Sequence, residues 1–361
     1  MSRRWKILIV FVVALVAAVL ISIIHHYQLR AATEAYIAQL KAEGEPMELA
    51  EVIPPRLPPE KNSVPQLLVA TSLFATNENV LTTNWPIGMR GVAPGKAQVL
   101  WRQNSIRDWG MTNSWEDLTL ALEADKEAFK GLLAITNSSA FDFDLKYEER
   151  FEMRITNLVA EKKTVQKLAA KTFNDLRLGQ AGPAAENIRV MLALVEGTSD
   201  ERTAISQLVR IAIAQIACGA TWEFLQSSNL TDGQLVELQA DWSRPEFIRA
   251  MANVLPLERE GAVTTIGKWR GSLKEILRYV ELSKSVSETL GHFPEEENLF
   301  EKVDKFRKIF LWRYWWSYPD ELHYLKGHQV LTDTMRQIAT NGVFRDALSN
   351  QDAELERLGI S

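Results

Sequence analysis

The sequence predicts a mostly α-helical chain: an N-terminal transmembrane helix followed by a multi-helix, hairpin-like or bundle-like extracytoplasmic domain. Three observations carry that expectation. An uncharged apolar stretch lies near the N-terminus, a proline-rich break follows it, and the rest is a succession of capped segments with helical periodicity.

Composition sets the outer bounds. With 361 residues, 46% hydrophobic and 24% charged, the chain has ordinary globular composition. Of its 41 basic and 46 acidic side chains, four basic and no acidic ones fall in residues 1–30. The remainder therefore carries 37 against 46, a formal charge of −9. That balance repels a phosphate backbone, so no nucleic-acid partner is expected. Cys218 is the one cysteine, so it has no intramolecular disulfide partner and no spaced thiols for zinc. Lying in an apolar run, it is expected to be a buried structural thiol.

Ile7 to Ile24 holds no charge and one hydroxyl, Ser22. As a helix it would be about 27 Å long, close to the hydrocarbon thickness of a bilayer. Arg3, Arg4 and Lys6 precede it, and Arg30 is the near basic residue after it. The positive-inside rule then places the N-terminus in the cytoplasm. Trp5 and Tyr27 sit at the two ends, where amphipathic rings prefer to lie. His25-His26-Tyr27-Gln28-Leu29 is a poor cleavage sequence, which favours an uncleaved signal-anchor over a signal peptide. The expected address is a bacterial inner membrane, single-pass, with residues 7–24 in lipid and the C-terminal domain periplasmic.

Residues 1–30 are read as the membrane anchor, 31–65 as a juxtamembrane helix and proline-rich stalk or wrapping arm, and 66–361 as the helical domain. Gly44 and Pro46 end the juxtamembrane helix. Pro54, Pro55, Pro58, Pro59 and Pro65 then exclude helix and interior strand. Residues 76–113 are the least regular part and are expected to form a long loop, the best loop candidate for a binding surface, although the preferred reading is that Trp85, Trp101 and Trp109 simply pin it to the core. From Asn113-Ser114 onward helices are readable. One spans Lys162 to Leu178. Another opens at Pro183 and ends at Gly197, after which Thr198-Ser199-Asp200 should cap a long helix with Ile205, Leu208, Val209, Ala212, Ile213 and Ile216 on its apolar face. Val209 to Trp222 holds Arg210 and Gln215 and reads as a core helix, not a second span. Thr231 with Gln234 is a capping-box pattern. Pro245 opens a helix that Pro256 should end or kink. Further helices are expected at 272–289, 295–317 and 320–340. No strand pattern is seen.

Catalytic signatures are missing. Gly88 to Lys96 has the wrong glycine spacing for a phosphate loop, and neither H-E-x-x-H nor G-x-S-x-G occurs. His323 and His328 are badly phased for a shared metal. No metal and no cofactor are expected. Phe306 to Tyr318 reads F-R-K-I-F-L-W-R-Y-W-W-S-Y, and seven of its thirteen residues are aromatic. The segment can be a core helix, a helix at the membrane surface, or the lining of a groove for a sugar or peptide. The first is preferred because large aromatics most often serve packing. Candidate ligand-binding residues are Trp85, Trp101 and Trp109 of the irregular segment with Trp312, Trp315 and Trp316.

Gly44-Glu45-Pro46 and the patch ending Pro58-Pro59-Glu60-Lys61-Asn62 resemble a segment of uncharacterised membrane-anchored α-helical bacterial envelope proteins. Those have an N-terminal membrane helix, a G-E-P element and a proline-rich P-x-E-x-N patch. The resemblance spans residues 40–68 and implies location and architecture, with no catalytic residue attached. The expectation is therefore an envelope protein whose helical domain is an interaction or scaffold module with a protein partner. The alternative is an envelope hydrolase or carbohydrate- or peptide-binding protein with a tryptophan-rich groove.

Overall fold

A computed structural model describes residues 3–75, 90–108, 111–137, 140–289 and 299–360. The chain divides into two compact units. One joins Met1–Val52 to Leu255–Ser361, and the other is Ile53–Val254. Both are built mainly from helices.

In the first unit, α1 runs unbroken from Arg3 to Ala42. At 1.5 Å per residue its 40 residues extend about 60 Å. Its apolar window has no side chain buried within the protein. Its other end is packed: Thr33 and Leu40 are each 1% exposed. The helix stops where Gly44 turns to φ +86, a conformation that a Cβ would strain. A single turn, α2 (Leu49–Val52), follows.

The second unit opens with the proline segment, which forms a 3-10 turn at Pro59–Lys61 and then α3 (Val64–Ser72). Residues 90–113, expected as loop, contain two antiparallel hairpins. They pair β1 (Arg90–Ala93) with β2 (Lys96–Gln98) and β3 (Ile106–Asp108) with β4 (Met111–Asn113). Pro94-Gly95, with Gly95 at φ +70, supplies the first turn. Three or four residues per strand are too few for alternation to register in the sequence. Residues 76–89 lie outside the described residues.

Helices α4 (Trp115–Ala124) and α5 (Lys126–Leu132) follow; Ser114 caps the first by accepting from the Asp117 amide. The core is built from α6 (Asn157–Arg177), α7 (Ala181–Gly197) and α8 (Ala204–Phe224), each packed on the other two. On α6, Val165, Leu168, Ala169, Thr172, Phe173 and Leu176 form the buried stripe. Packed against both α6 and α8, α7 is buried nearly all round, with Ile188, Val190, Met191, Leu194 and Val195 at 0% exposure. Each such side chain contributes about 1.5–3 kcal/mol. The cap of α8 is Thr203, not Thr198-Ser199-Asp200. Its buried face also differs from the apolar stripe: Ile205 and Leu208 are exposed, whereas Ser206, Gln207 and Arg210 are buried with Ile213 and Ile216. Polar bonding explains this. Gln207 donates to the carbonyls of Thr198, Ser199 and Glu201, and Arg210 Nε donates to Val195 O at 2.6 Å over the Phe247 ring. Cys218 lies on the outer face and is exposed, contrary to expectation.

The capping box of Thr231 and Gln234 is present on α9 (Asp232–Trp242). Helix α10 (Phe247–Gly271) contains Pro256 within it, so of the two expected effects the ending does not occur, and the division between units falls within this helix. After α11 (Leu273–Thr289) come α12 (Leu299–Leu311), a π-helical turn at Trp312–Trp316, α13 (Ser317–Asn341) and α14 (Phe344–Arg357). Helix α13 runs beside α1 in the same direction: Tyr318 meets Thr33, Leu325 clusters with Leu40, and Gln329 meets Glu45.

Candidate functional site

In the first unit the G-E-P element is a polar lock. Once Gly44 ends α1, Glu45 accepts from Arg259 at 2.7 Å, from Gln329 at 3.1 Å and from Arg336 at 3.0 Å. Arg259, 0% exposed, also donates to Gln329 Oε1 at 2.6 Å and to the Pro46 carbonyl at 3.3 Å. Burial pushes the Glu45 carboxyl up, but the hydrogen bonds from Arg336, Arg259 and Gln329 outweigh it and hold the group at about 2. His328 is buried nearby. Burial, and then the charge of Arg259, push it down to about 4, so it is neutral at pH 7.

The aromatic segment of the same unit is not core. Phe306, Phe310, Tyr314, Trp315 and Trp316 are between 45% and 60% exposed, which overturns the packing preference. Its backbone and polar groups are bonded to neighbouring groups instead. Arg313 donates to the Arg270 carbonyl at 2.9 and 3.1 Å, and Trp312 Nε1 donates to Asp320 at 2.7 Å. His26 Nδ1 lies 2.7 Å from the Tyr314 carbonyl and must carry the proton there. Arg270 stacks on the Tyr318 ring at 3.6 Å, and Trp269 meets Tyr279 and Trp312. Phe306, Phe310 and Tyr314 stand four apart and so share one side of the helix, and a π turn spans Trp312–Trp316.

In the second unit the P-x-E-x-N patch docks a loop. Asn62 Nδ2 donates to the Asp142 carbonyl at 2.9 Å, and Asn62 Oδ1 accepts from the Asp142 amide at 3.1 Å. Arg56 and the Leu57 amide bind the Asp142 carboxylate. The loop so held closes one side of a cavity of about 490 Å³ lined by Leu67, Leu68, Phe143, Leu145, Arg154 and Glu161.

Glu161 belongs to a buried carboxylate pair. The Asn157 side-chain amide donates to Glu161 at 2.8 Å and to Glu201 at 2.9 Å, bridging the two. Burial, then the charge of Glu201, push Glu161 up to about 8; burial also raises Glu201. Two carboxylates on one amide cannot both ionise cheaply, so the pair retains a proton at neutral pH. Glu161 is then a neutral acid beside an apolar cavity, able to donate as well as accept. Sequence inspection missed this group. Asn157 and Glu161 stand four apart on α6, but nothing local pairs them with Glu201.

Of the candidate tryptophans, Trp101 is half-buried and spends its indole N–H on the Glu223 carbonyl at 3.0 Å. Trp312 is half-buried, and Trp315 and Trp316 are exposed in the first unit. Trp85 and Trp109 lie outside the described residues. Among the described residues no group of three or more His, Cys, Asp and Glu is placed to hold a metal ion. The chain as a whole matches no model of a known protein family, no curated protein and no solved structure.

Proposed function

We propose that the chain is a single-pass protein of a bacterial inner membrane, N-terminus cytoplasmic, whose periplasmic helical part is an interaction or scaffold module. The carrying observation is the two-sided character of α1. One stretch exposes an apolar surface over a bilayer's depth, and the other is locked into folded protein through Leu40 and Glu45. A helix so divided suits a rigid mount better than a floppy tether. The resemblance to membrane-anchored envelope proteins supports the same reading, since both of its motifs have structural work here: Glu45 in the lock, Asn62 in docking the loop.

The test is extraction and capture. Expressed in bacteria, the full chain should resist alkaline carbonate extraction from inner membranes, and protease should reach residues beyond 43 only from the periplasmic side. Crosslinking in native membranes should then yield a defined protein adduct. Carbonate-soluble chain sinks the anchor, and a chain that stays uncrosslinked and monomeric sinks the scaffold role.

A second reading, small-ligand binding, is favoured by the Glu161 cavity more than by Trp101, which is committed to Glu223. An apolar molecule with a hydrogen-bonding head fits that lining. Ligand-observed NMR with apolar amines and amides, comparing wild type with Leu67→Trp, tests it; the same binding in both chains discards it.

A further inference from the structure

We infer that the aromatic ledge at Tyr314, Trp315 and Trp316 is a lipid-contact surface, seated in the headgroup zone of the bilayer that holds α1. This rests on the anchor reading and adds a second, peripheral contact beyond the span.

Position is the first argument. The apolar run of α1 ends at Ile24, and His26, two residues on, holds the Tyr314 carbonyl at 2.7 Å. At 1.5 Å per residue that places the Tyr314 backbone within one helical turn of the end of the span, roughly 3 Å along the axis. Thr33 binding the Tyr318 carbonyl at 3.2 Å fixes the direction: α13 climbs away along α1, and the aromatic turn is its end nearest the apolar run. Tyr314, Trp315 and Trp316, so held, lie level with the membrane boundary for any helix that spans through residues 7–24, and Phe306 and Phe310 precede them on α12.

Chemistry is the second. Tryptophan and tyrosine rings concentrate at the headgroup level because each has an apolar body and a polar edge. Here five large aromatics of one short segment are about half exposed, although Arg313, His26 and Trp312 bond its polar atoms to neighbouring groups. Exposed rings of that kind, with Phe310 and Tyr314 4.7 Å apart, mark an interaction site on a folded surface. From Val303 to Trp316 there are four basic residues, Lys305, Arg307, Lys308 and Arg313, against one acidic, Asp304. Arg307 and Lys308 share Asp304, at 2.5 and 2.8 Å, so their local sum stays positive. The rest of the chain beyond the anchor is acidic, so this reversal of sign is local and suits anionic headgroups. A protein partner would not require the patch to sit at the depth where the span ends; a bilayer does.

The test uses the full chain with Trp5→Phe, which silences the ring at the other end of the span. It is reconstituted in vesicles of phosphatidylcholine and phosphatidylglycerol, either plain or with acyl chains brominated near the headgroup. Bromolipid should quench part of the tryptophan emission, and Trp315→Phe with Trp316→Phe should remove most of that quenching. These exposed conservative changes should leave the circular dichroism spectrum intact. Arg307→Gln with Lys308→Gln should weaken the quenching in the anionic vesicles. A chain that floats with the vesicles, shows no bromolipid quenching and is quenched by aqueous acrylamide overturns this inference and leaves the anchor standing. Protection from both quenchers also overturns it, in favour of a protein partner or a second copy on the ledge. A chain that fails to float overturns both.

Discussion

The Glu45 carboxylate and the Arg259 guanidinium stand 2.7 Å apart across 214 positions of sequence, both nearly withdrawn from solvent. Breaking such a pair from one side leaves an uncompensated buried charge, which costs about 3–5 kcal/mol. Glu45→Ala is therefore expected to destabilise the first unit severely. Arg336→Ala should do clearly less, since that guanidinium is 43% exposed and water replaces its partner. Urea unfolding of the full chain in detergent, followed by circular dichroism, checks this. Equal losses would mean that burial of the lock contributes little.

The same unit should weaken in acid in two stages. His328 is held neutral, down to about 4 from an ordinary 6.5, so it stabilises the fold above pH 6.5. That contribution, about 3 kcal/mol, is lost as pH falls from 6.5 through 4. Glu45, held at about 2, contributes above its ordinary 4.5 and fails only as pH falls toward 2. In His328→Asn the first stage should vanish while the second stays. A stability profile between pH 7 and 4 that the substitution leaves unchanged would refute the assignment.

Glu161 gives the opposite slope in the second unit. Its proton is bound more tightly folded than unfolded, so its contribution is full below pH 4.5 and is lost as pH rises through about 8. Glu161→Gln keeps the neutral shape and removes the titration. The variant should match wild type near pH 5 and exceed it by a few kcal/mol at pH 9, on the order of the pKa displacement. Thermal melts at the two pH values distinguish the outcomes, and a variant less stable at pH 9 would contradict the neutral-acid assignment.

What the sequence disclosed and what it hid follow from range. Caps and breakers act within four residues, so the Thr231–Gln234 box, Pro183 in a first turn and the stop at Gly44 could be read directly. The apolar run of α1 needs only composition. The buried face of α8 could not be read, because the helix is apolar nearly all round and its polar side chains choose the face by bonding to a distant turn. The Glu45–Arg259 lock and the Asn157–Glu161–Glu201 group are long-range pairings of common residues, invisible without the fold. The 306–318 aromatics were conspicuous in sequence, yet their exposure depends on which elements pack beside them, and that leaves no local signature.

The Phe141 ring covers Gly197 so closely that an added Cβ would fall 2.3 Å from Phe141 Cε2, and the Phe141 amide bonds the Gly197 carbonyl at 3.1 Å. Gly197→Ala must displace the ring, at a cost of about 1–3 kcal/mol typical of overpacking. Because the same loop carries Phe143 and Leu145 into the cavity wall, the substitution should also speed amide hydrogen exchange at residues 140–146. Unchanged exchange there would mean that Asn62, Arg56 and the Leu57 amide hold the loop without the Gly197 contact.

Cys218 offers a direct probe of the scaffold reading. It lies on the outer face of α8, and Ile205, Leu208 and Ile211 are exposed on that helix as well. Residues at these spacings fall near one side, so a partner seated on the apolar stripe would shield the thiol. The purified chain should react with a bulky maleimide at its one cysteine without denaturant, since the thiol is exposed. In native membranes two outcomes separate cleanly. Slow labelling that quickens after detergent extraction would place a partner on this face, and Leu208→Glu should then release the protection. Labelling equally fast in membranes and after purification would leave the face open and direct the search for a partner to other surfaces of the helical domain.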